Sequence, residues 1–160
     1  TVNGERLPDA ETAPGQYVTI RRTWQVGDAV RLAIPLPIRR LVAHPRVTNN
    51  AGRVALMRGP LVYCAEAADN PIGDVLDVVI PDDATILAAQ RPELLGGVVV
   101  LTASAELEAA APGWDGALYR RLDRVEADQP GRSDVDLVMI PYMVWANRGA
   151  GPMAVWLRRG

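Results

Sequence analysis

Three pairs of acidic residues carry the side chains that could perform acid–base hydrolysis. They are Asp82 with Asp83, Glu106 with Glu108, and Asp134 with Asp136. Carboxylates that cleave a glycosidic bond face each other across it at about 5 to 9.5 Å. The first pair follows Pro81 in a turn-like stretch, and the other two have the i, i+2 spacing that puts both acids on one face of a strand. The pattern therefore favours solvated edge charges over a catalytic pair.

His44 and Cys64 are the single histidine and the single cysteine of the chain. One imidazole rules out a two-histidine metal site, and one thiol rules out an intramolecular disulfide and a cysteine-rich zinc site built by this chain alone. Cys64 lies in the apolar run GPLVYCAE, where a cysteine usually packs as a small apolar side chain. We therefore predict no catalytic residue and no metal site in this chain.

Four Trp and four Tyr supply aromatic faces of the kind that stack on sugar rings. Such residues also fill β-sandwich cores, and their apolar surroundings predict a core position for most of them: Trp24, Tyr63, Tyr142, Trp145 and Trp156. Trp114 lies in the loop-like APGWDG and is the best stacking candidate. A carbohydrate-binding surface would use Trp114, Trp24 and Tyr119.

Short strands are expected to position these acidic and aromatic residues, because Gly and Pro interrupt runs of Val, Ile and Leu at regular intervals. This punctuation predicts an all-β fold, an antiparallel β-sandwich of jelly-roll type. Asn3-Gly4 suits a tight turn, and alternating apolar residues predict a hairpin from strands at 17–24 and 29–36. Residues 117–126 are a further strand candidate, and residues 82–95 could hold one short helix.

The closing stretch PYMVWANRGAGPMAVWLRR, residues 141–159, combines aromatic and charged side chains. Alternation predicts a strand over 135–147 that is buried on both faces, a turn over 147–152 and a return strand from Met153. Asn147 and Arg148 are expected to stabilise that turn by hydrogen bonds to the backbone.

Composition limits the partners. The net charge is −2 and the isoelectric point is near 5.4, so no basic field attracts nucleic acid or an anionic membrane surface. No run approaches the roughly eighteen apolar residues of a membrane span, and no secretory signal is visible, so a cytoplasmic location is favoured. Thr1 stands where a start Met is expected, which suggests a piece of a longer protein.

Three stretches, in order, resemble one known family: GQYVTIRRTWQVGDAVRLAIPLPIRR, GRVALMRGPLVYCAEAADN and IPYMVWANRGAGPMAVWLRR. They are similar to the C-terminal β-sandwich region of bacterial glycoside hydrolases of family 127, whose founding activity is a β-L-arabinofuranosidase. The resemblance implies a helical catalytic barrel elsewhere in the protein. That barrel carries a cysteine nucleophile, an acid/base glutamate and a zinc ion, and two β-sandwiches follow it.

The resemblance assigns no catalytic role to this chain. Cys64 matches the RGPLVYC element of the sandwich and not the nucleophile, and the implied zinc belongs to the catalytic domain, so no cofactor is expected here. The resemblance implies that residues 1–48 are the final strands of a first β-sandwich and that residues 49–160 form the second β-sandwich. Arg148, at a loop tip, would face the barrel, which is the expected partner within the same polypeptide.

The leading functional hypothesis is a non-catalytic accessory sandwich that supports the catalytic barrel or its oligomer. A homodimer through the edges of residues 17–36 is a second expectation, because the strand before Asn3-Gly4 is missing and edges stay unpaired. Two alternatives are a carbohydrate-binding module and a protein–protein interaction module.

Overall fold

The computed structural model describes residues 1–8, 14–109, 114, 116–127 and 130–160. The chain divides into two compact units, Thr1–Pro35 and Leu36–Gly160. The assignment of residues 1–48 and 49–160 to two sandwiches stays a prediction. Among the described residues, no helix combines the length and the apolar character needed to cross a membrane.

The first unit contains the tight turn that Asn3-Gly4 predicts. Asn3 and Gly4 have φ angles of 52° and 87°, and Val2 and Glu5 exchange backbone hydrogen bonds across them. The Asn3 side chain also binds the next turn, donating to Asp28 Oδ1 at 2.7 Å and accepting from the Ala29 N–H at 2.8 Å. Hydrogen bonds from the Gln25 backbone N–H and from Asn3 lower the pKa of Asp28.

The predicted hairpin over residues 17–36 is not formed. Within the described part of the first unit, β pairing is limited to isolated bridges from Val2 to Glu5 and to Val30. Val30, Leu32 and Ile34 alternate as predicted, yet all three side chains are exposed. Alternation alone does not make a strand, because a strand also needs a partner for its backbone hydrogen bonds.

The described residues of the second unit form a mixed β-sheet of nine strands. The strands are β1 (Ile38–Leu41), β2 (Arg53–Arg58), β3 (Leu61–Glu66), β4 (Val78–Ile80), β5 (Ile86–Arg91), β6 (Val98–Glu108), β7 (Arg132–Pro141), β8 (Met153–Ala154) and β9 (Leu157–Arg159). One α-helix, α1, spans Leu122–Ala127, and 3-10 turns span Thr48–Asn50, Val75–Asp77 and Tyr142–Val144. The all-β class predicted from the sequence is confirmed.

The strand order is β1-β2-β9-β4-β6-β7-β3-β8, with β5 added beside β6. Among the strands that the structure describes, β4 and β9 are the one parallel pair, and Val79 lies beside Arg158 in its register. β2 also pairs with β3 through a short connection, where Gly59 has a φ of 56°. Because that pairing joins two distant points of the path, the sheet returns on itself and fewer edges remain free.

The core lies on one face of the long strands β6 and β7. Leu101, Ala103 and Ala105 alternate inward from β6, and Leu137 and Met139 meet them from β7. Each buried Leu or Met side chain contributes about 1.5 to 3 kcal/mol to stability. A smaller cluster on the opposite side contains Cys64, Val100 and Ile140.

Two local predictions were wrong. The helix expected within 82–95 is replaced by β5, whose six residues all pair with β6. The strand expected over 117–126 is replaced by α1, whose sequence LDRVEA is rich in good helix formers. In the first case, tertiary pairing with β6 overrides the local helix propensity.

The predicted closing hairpin is also wrong. β7 ends at Pro141, which lacks an N–H for further pairing, and Tyr142–Val144 form a 3-10 turn. β8 then pairs with β3 through Ala65 and Ala154, while β9 pairs with β2 and β4. The return segment therefore crosses to other strands.

Candidate functional site

The most organised polar group of the second unit is a three-residue cluster, here named the arginine clamp: Glu66, Asp69 and Arg148. Arg148 donates through Nη2 to Glu66 Oε2 at 2.6 Å, and its guanidinium also binds both carboxylate oxygens of Asp69. The other oxygen of Glu66 accepts the Ala146 N–H at 2.9 Å. Glu66 is only 4% exposed, so its charge is compensated inside the protein.

Asn70 anchors the loop that presents the clamp. Its Nδ2 donates to the Glu66 carbonyl at 2.7 Å and to the Val138 carbonyl at 2.9 Å, and its Oδ1 accepts the Val138 N–H at 2.8 Å. The side chain is buried, so these bonds replace water entirely. Asn70 thus fixes the end of β3 against β7.

The electrostatics of the clamp keep Arg148 charged. The hydrogen bonds that Arg148 donates to Asp69, and then those to Glu66, raise the pKa of its guanidinium above its ordinary value. A planar guanidinium that binds two carboxylates in this way gives directional as well as electrostatic stabilisation. The arrangement can hold a turn in place, because the Glu66, Asp69 and Arg148 side chains form hydrogen bonds with one another and Glu66 also binds the backbone.

The clamp positions a strained turn. Ala146 has a φ of 63°, a left-handed conformation that is uncommon for a residue with a side chain. Its N–H is fixed by Glu66, and Asn147 Nδ2 donates to the carbonyls of Val144 at 2.9 Å and Trp145 at 3.3 Å. The expected backbone contacts of Asn147 are therefore present, whereas Arg148 binds side chains.

The turn presents aromatic rings to solvent. We name residues Tyr142–Trp145 the aromatic turn. The rings of Tyr142 and Trp145 stack with centroids 5.9 Å apart and planes 10° from parallel, and they remain 44% and 41% exposed. Met143 between them is 75% exposed. The predicted core position is confirmed for Tyr63 but wrong for Tyr142 and Trp145, because the chain leaves the sheet at Pro141.

Sequence pattern alone does not single out Glu66 and Asp69. The sequence does carry one signal for a buried ion pair, namely an acid at the end of the apolar strand in VYCAEAAD. A carboxylate in such a position needs a cation nearby. Which arginine supplies it is decided by the return of β8 to β3. That pairing brings residues 66 and 148 together and has no local signature.

Cys64 is fully buried in the smaller apolar cluster, as the sequence predicts. Burial, followed by the nearby Glu66 and Asp69 charges, raises the pKa of the Cys64 thiol to about 12. A thiol with such a pKa is not a nucleophile at neutral pH. Within the described residues no group of three or more His, Cys, Asp and Glu side chains is arranged to hold a metal ion, so these side chains do not fit a zinc site.

Three of the paired acids contact arginines: Asp82, Glu106 and Glu108. Glu106 accepts from Arg132 at 2.8 Å, and Glu108 accepts from Arg158 at 2.6 Å. Arg159 donates to both oxygens of Asp82 and lowers its pKa. Exposed His44 accepts the Arg46 N–H at 3.2 Å within a turn.

The three stacking candidates are not brought into one platform. Trp24 belongs to the first unit and is 48% exposed, so its predicted core position is wrong. The Arg22 guanidinium lies 5.3 Å from its ring centroid. Trp114 is partly buried, with Arg120 at 5.5 Å from its ring. Tyr119 is almost fully exposed. Their role in binding carbohydrate stays a prediction.

Comparisons with known proteins connect this arrangement to one enzyme family. The model of the glycoside hydrolase family 127 C-terminal domain matches residues 38–158. A non-reducing end β-L-arabinofuranosidase of Bifidobacterium longum subsp. longum is 40% identical over 99% of this chain, which covers 23% of that protein.

Solved structures agree with the sequence match. The structure of a GH127 β-L-arabinofuranosidase from Geobacillus stearothermophilus T6 is 41% identical to this chain and superposes with a TM-score of 0.74. The match covers the whole of this chain and 24% of the Geobacillus chain. A second GH127 β-arabinofuranosidase shares 33% identity with a TM-score of 0.75. The chain thus spans about a quarter of the length of the relatives it matches. It belongs to glycoside hydrolase family 127, of which it carries the C-terminal domain.

Proposed function

We propose that this chain is a non-catalytic accessory domain of a β-L-arabinofuranosidase-like glycoside hydrolase, and that it supports the catalytic region of the longer protein. The observation that carries the proposal is the position of the match. The matched model describes a C-terminal domain, and the relatives named as arabinofuranosidases are about four times longer than this chain.

The chemistry of the described side chains supports the same proposal. A retaining or inverting glycosidase needs a pair of catalytic groups that face a cleft. The Cys64 thiol is buried, and the acids of β6 are paired with Arg132 and Arg158. The polar groups of the arginine clamp bind one another and the backbone. Their role is to fix structure.

The catalytic part of the proposal is tested by turnover of a chromogenic aryl β-L-arabinofuranoside. The full-length protein is expected to cleave it, and the isolated chain to give the rate of buffer alone. Turnover by the isolated chain that a single substitution abolishes would overthrow the proposal. The Cys64→Ala variant is the matched control, because its activity in the full-length protein should equal that of the unmodified protein.

Carbohydrate binding is the alternative to a supporting role. It is favoured by Tyr119, which is 91% exposed five residues after Trp114 in the same loop region. If this loop binds sugar, titration with arabino-oligosaccharides changes the tryptophan fluorescence, and the change is lost in Tyr119→Ala and Trp114→Ala. Trp24→Ala separates a contribution of the first unit. A flat titration removes this alternative.

A further inference from the structure

The aromatic turn leaves a large apolar surface uncovered at the end of β7. Met143 is its most exposed member, and the stacked Tyr142 and Trp145 flank it. β3 contacts the Tyr142–Val144 turn, and Val62 of β3 is also exposed. Tyr, Trp and Met are the residue types that protein interfaces prefer over the remaining surface. These four side chains are the docking surface considered below.

The docking surface is held rigid. Glu66 fixes the Ala146 N–H, and Asn147 binds the carbonyls of Val144 and Trp145. Arg148 in turn binds Glu66 from the opposite side of its carboxylate. A surface that is ordered before association loses less conformational entropy on binding.

The available polar groups distinguish a protein partner from a sugar. A sugar site combines an aromatic face with polar groups that are free to bond to hydroxyls. The polar side chains that follow the turn, Asn147 and Arg148, are both engaged in hydrogen bonds within the protein, as is Glu66. Met143 adds flexible apolar area, which suits a packed protein contact. The chemistry favours an apolar protein surface.

The relatives are much longer than this chain. Only 24% of a solved relative is covered by this chain, so most of that polypeptide lies outside it. We propose that Val62, Tyr142, Met143 and Trp145 form the docking surface by which this domain packs against the part of the same polypeptide outside this chain. The inference rests on the proposed accessory function and names the surface that performs it.

Oxidation of Met143 by hydrogen peroxide tests the docking directly, with mass spectrometry of the resulting peptides. In the isolated chain Met143 is exposed and oxidises readily, whereas buried Met139 does not. In the full-length protein we expect Met143 to oxidise at least about tenfold more slowly. Equal rates in the two proteins would overturn the proposal.

Two other occupants give different results in the same assay. Protection of Met143 in the isolated chain that increases with protein concentration would assign the surface to a second copy. Protection by arabino-oligosaccharides would assign it to a sugar. Either result, without protection in the full-length protein, contradicts docking within the polypeptide.

A matched pair of variants tests the same surface through stability. Met143→Glu should lower the Tm of the full-length protein and leave that of the isolated chain unchanged, because the side chain is exposed only in the latter. Leu87→Glu changes an exposed apolar residue of β5 and should alter neither. If removal of the whole domain destabilises the full-length protein while Met143→Glu does not, the accessory function stands and this surface is wrong.

Discussion

At the scale of single residues, Arg148 is the side chain that holds the arginine clamp together. Its guanidinium compensates the buried Glu66 carboxylate, and no other cation is hydrogen-bonded to Glu66 among the described residues. The two partners differ in kind from the exposed ion pairs of the sheet, because Glu66 is shielded from water. The clamp is therefore the ion pair whose loss should be measurable.

Arg148→Met should lower the free energy of unfolding of the isolated chain by about 2 to 3 kcal/mol, because Glu66 stays buried without its cation. Urea unfolding measures the change. Arg91→Met is the matched control, since Arg91 reaches Glu93 only at 3.7 Å on the surface and such pairs contribute at most about 1 kcal/mol. Equal losses in the two variants would contradict the role of the clamp.

Cys64 should make the free energy of unfolding fall as the pH rises above 9. Its folded-state pKa is raised by burial to about 12 from an ordinary value of 9.0, so the folded protein holds the proton that the unfolded chain releases. This contribution is complete below pH 9 and is lost as pH rises toward 12, at up to about 1.4 kcal/mol per pH unit. Urea unfolding between pH 8 and 11 should show a shallower decline for Cys64→Ala. An identical decline would contradict the prediction.

At the scale of elements, the aromatic turn shows what the sequence does and does not predict. Strands β2, β3 and β6 follow from their apolar runs and from the Gly59-Pro60 corner. The end of β7 at Pro141 cannot be predicted in this way, because Tyr142–Trp145 is as apolar as the strand before it. The pairing of β8 with β3 is not predicted either. Alternation cannot show whether a ladder partner is present.

The left-handed Ala146 gives a prediction about this turn. Ala146→Gly should raise the free energy of unfolding by about 0.5 to 1 kcal/mol, because glycine adopts a positive φ without strain from a side chain. Ala88→Gly in the exposed part of β5 should instead be destabilising. Thermal unfolding compares the two, and destabilisation of equal size in both would show that Ala146 is not strained.

The first unit carries the proposal of a homodimer through residues 17–36. Val30, Leu32 and Ile34 alternate like a strand but remain exposed, which is consistent with edges that a second copy pairs. Light scattering should give a mass that rises with concentration, and Leu32→Lys should shift association to higher concentration. A monomer at all concentrations would remove the proposal.

At the scale of the whole molecule, the fold class and the family follow from sequence, whereas the contacts of the site do not. Short apolar runs between Gly and Pro predict the all-β fold, and three stretches in order carry the family resemblance. Glu66, Asp69 and Arg148 meet only after the chain has crossed several strands. Their proximity is a property of the topology and is not encoded in any local spacing.

The half-life of activity at elevated temperature tests the central claim most directly. The full-length protein is compared with a version that lacks residues 36–160, on the same chromogenic arabinofuranoside. An accessory domain that supports the catalytic region predicts a half-life shortened severalfold in the truncated protein, with catalysis still measurable at low temperature. An unchanged half-life would contradict the claim.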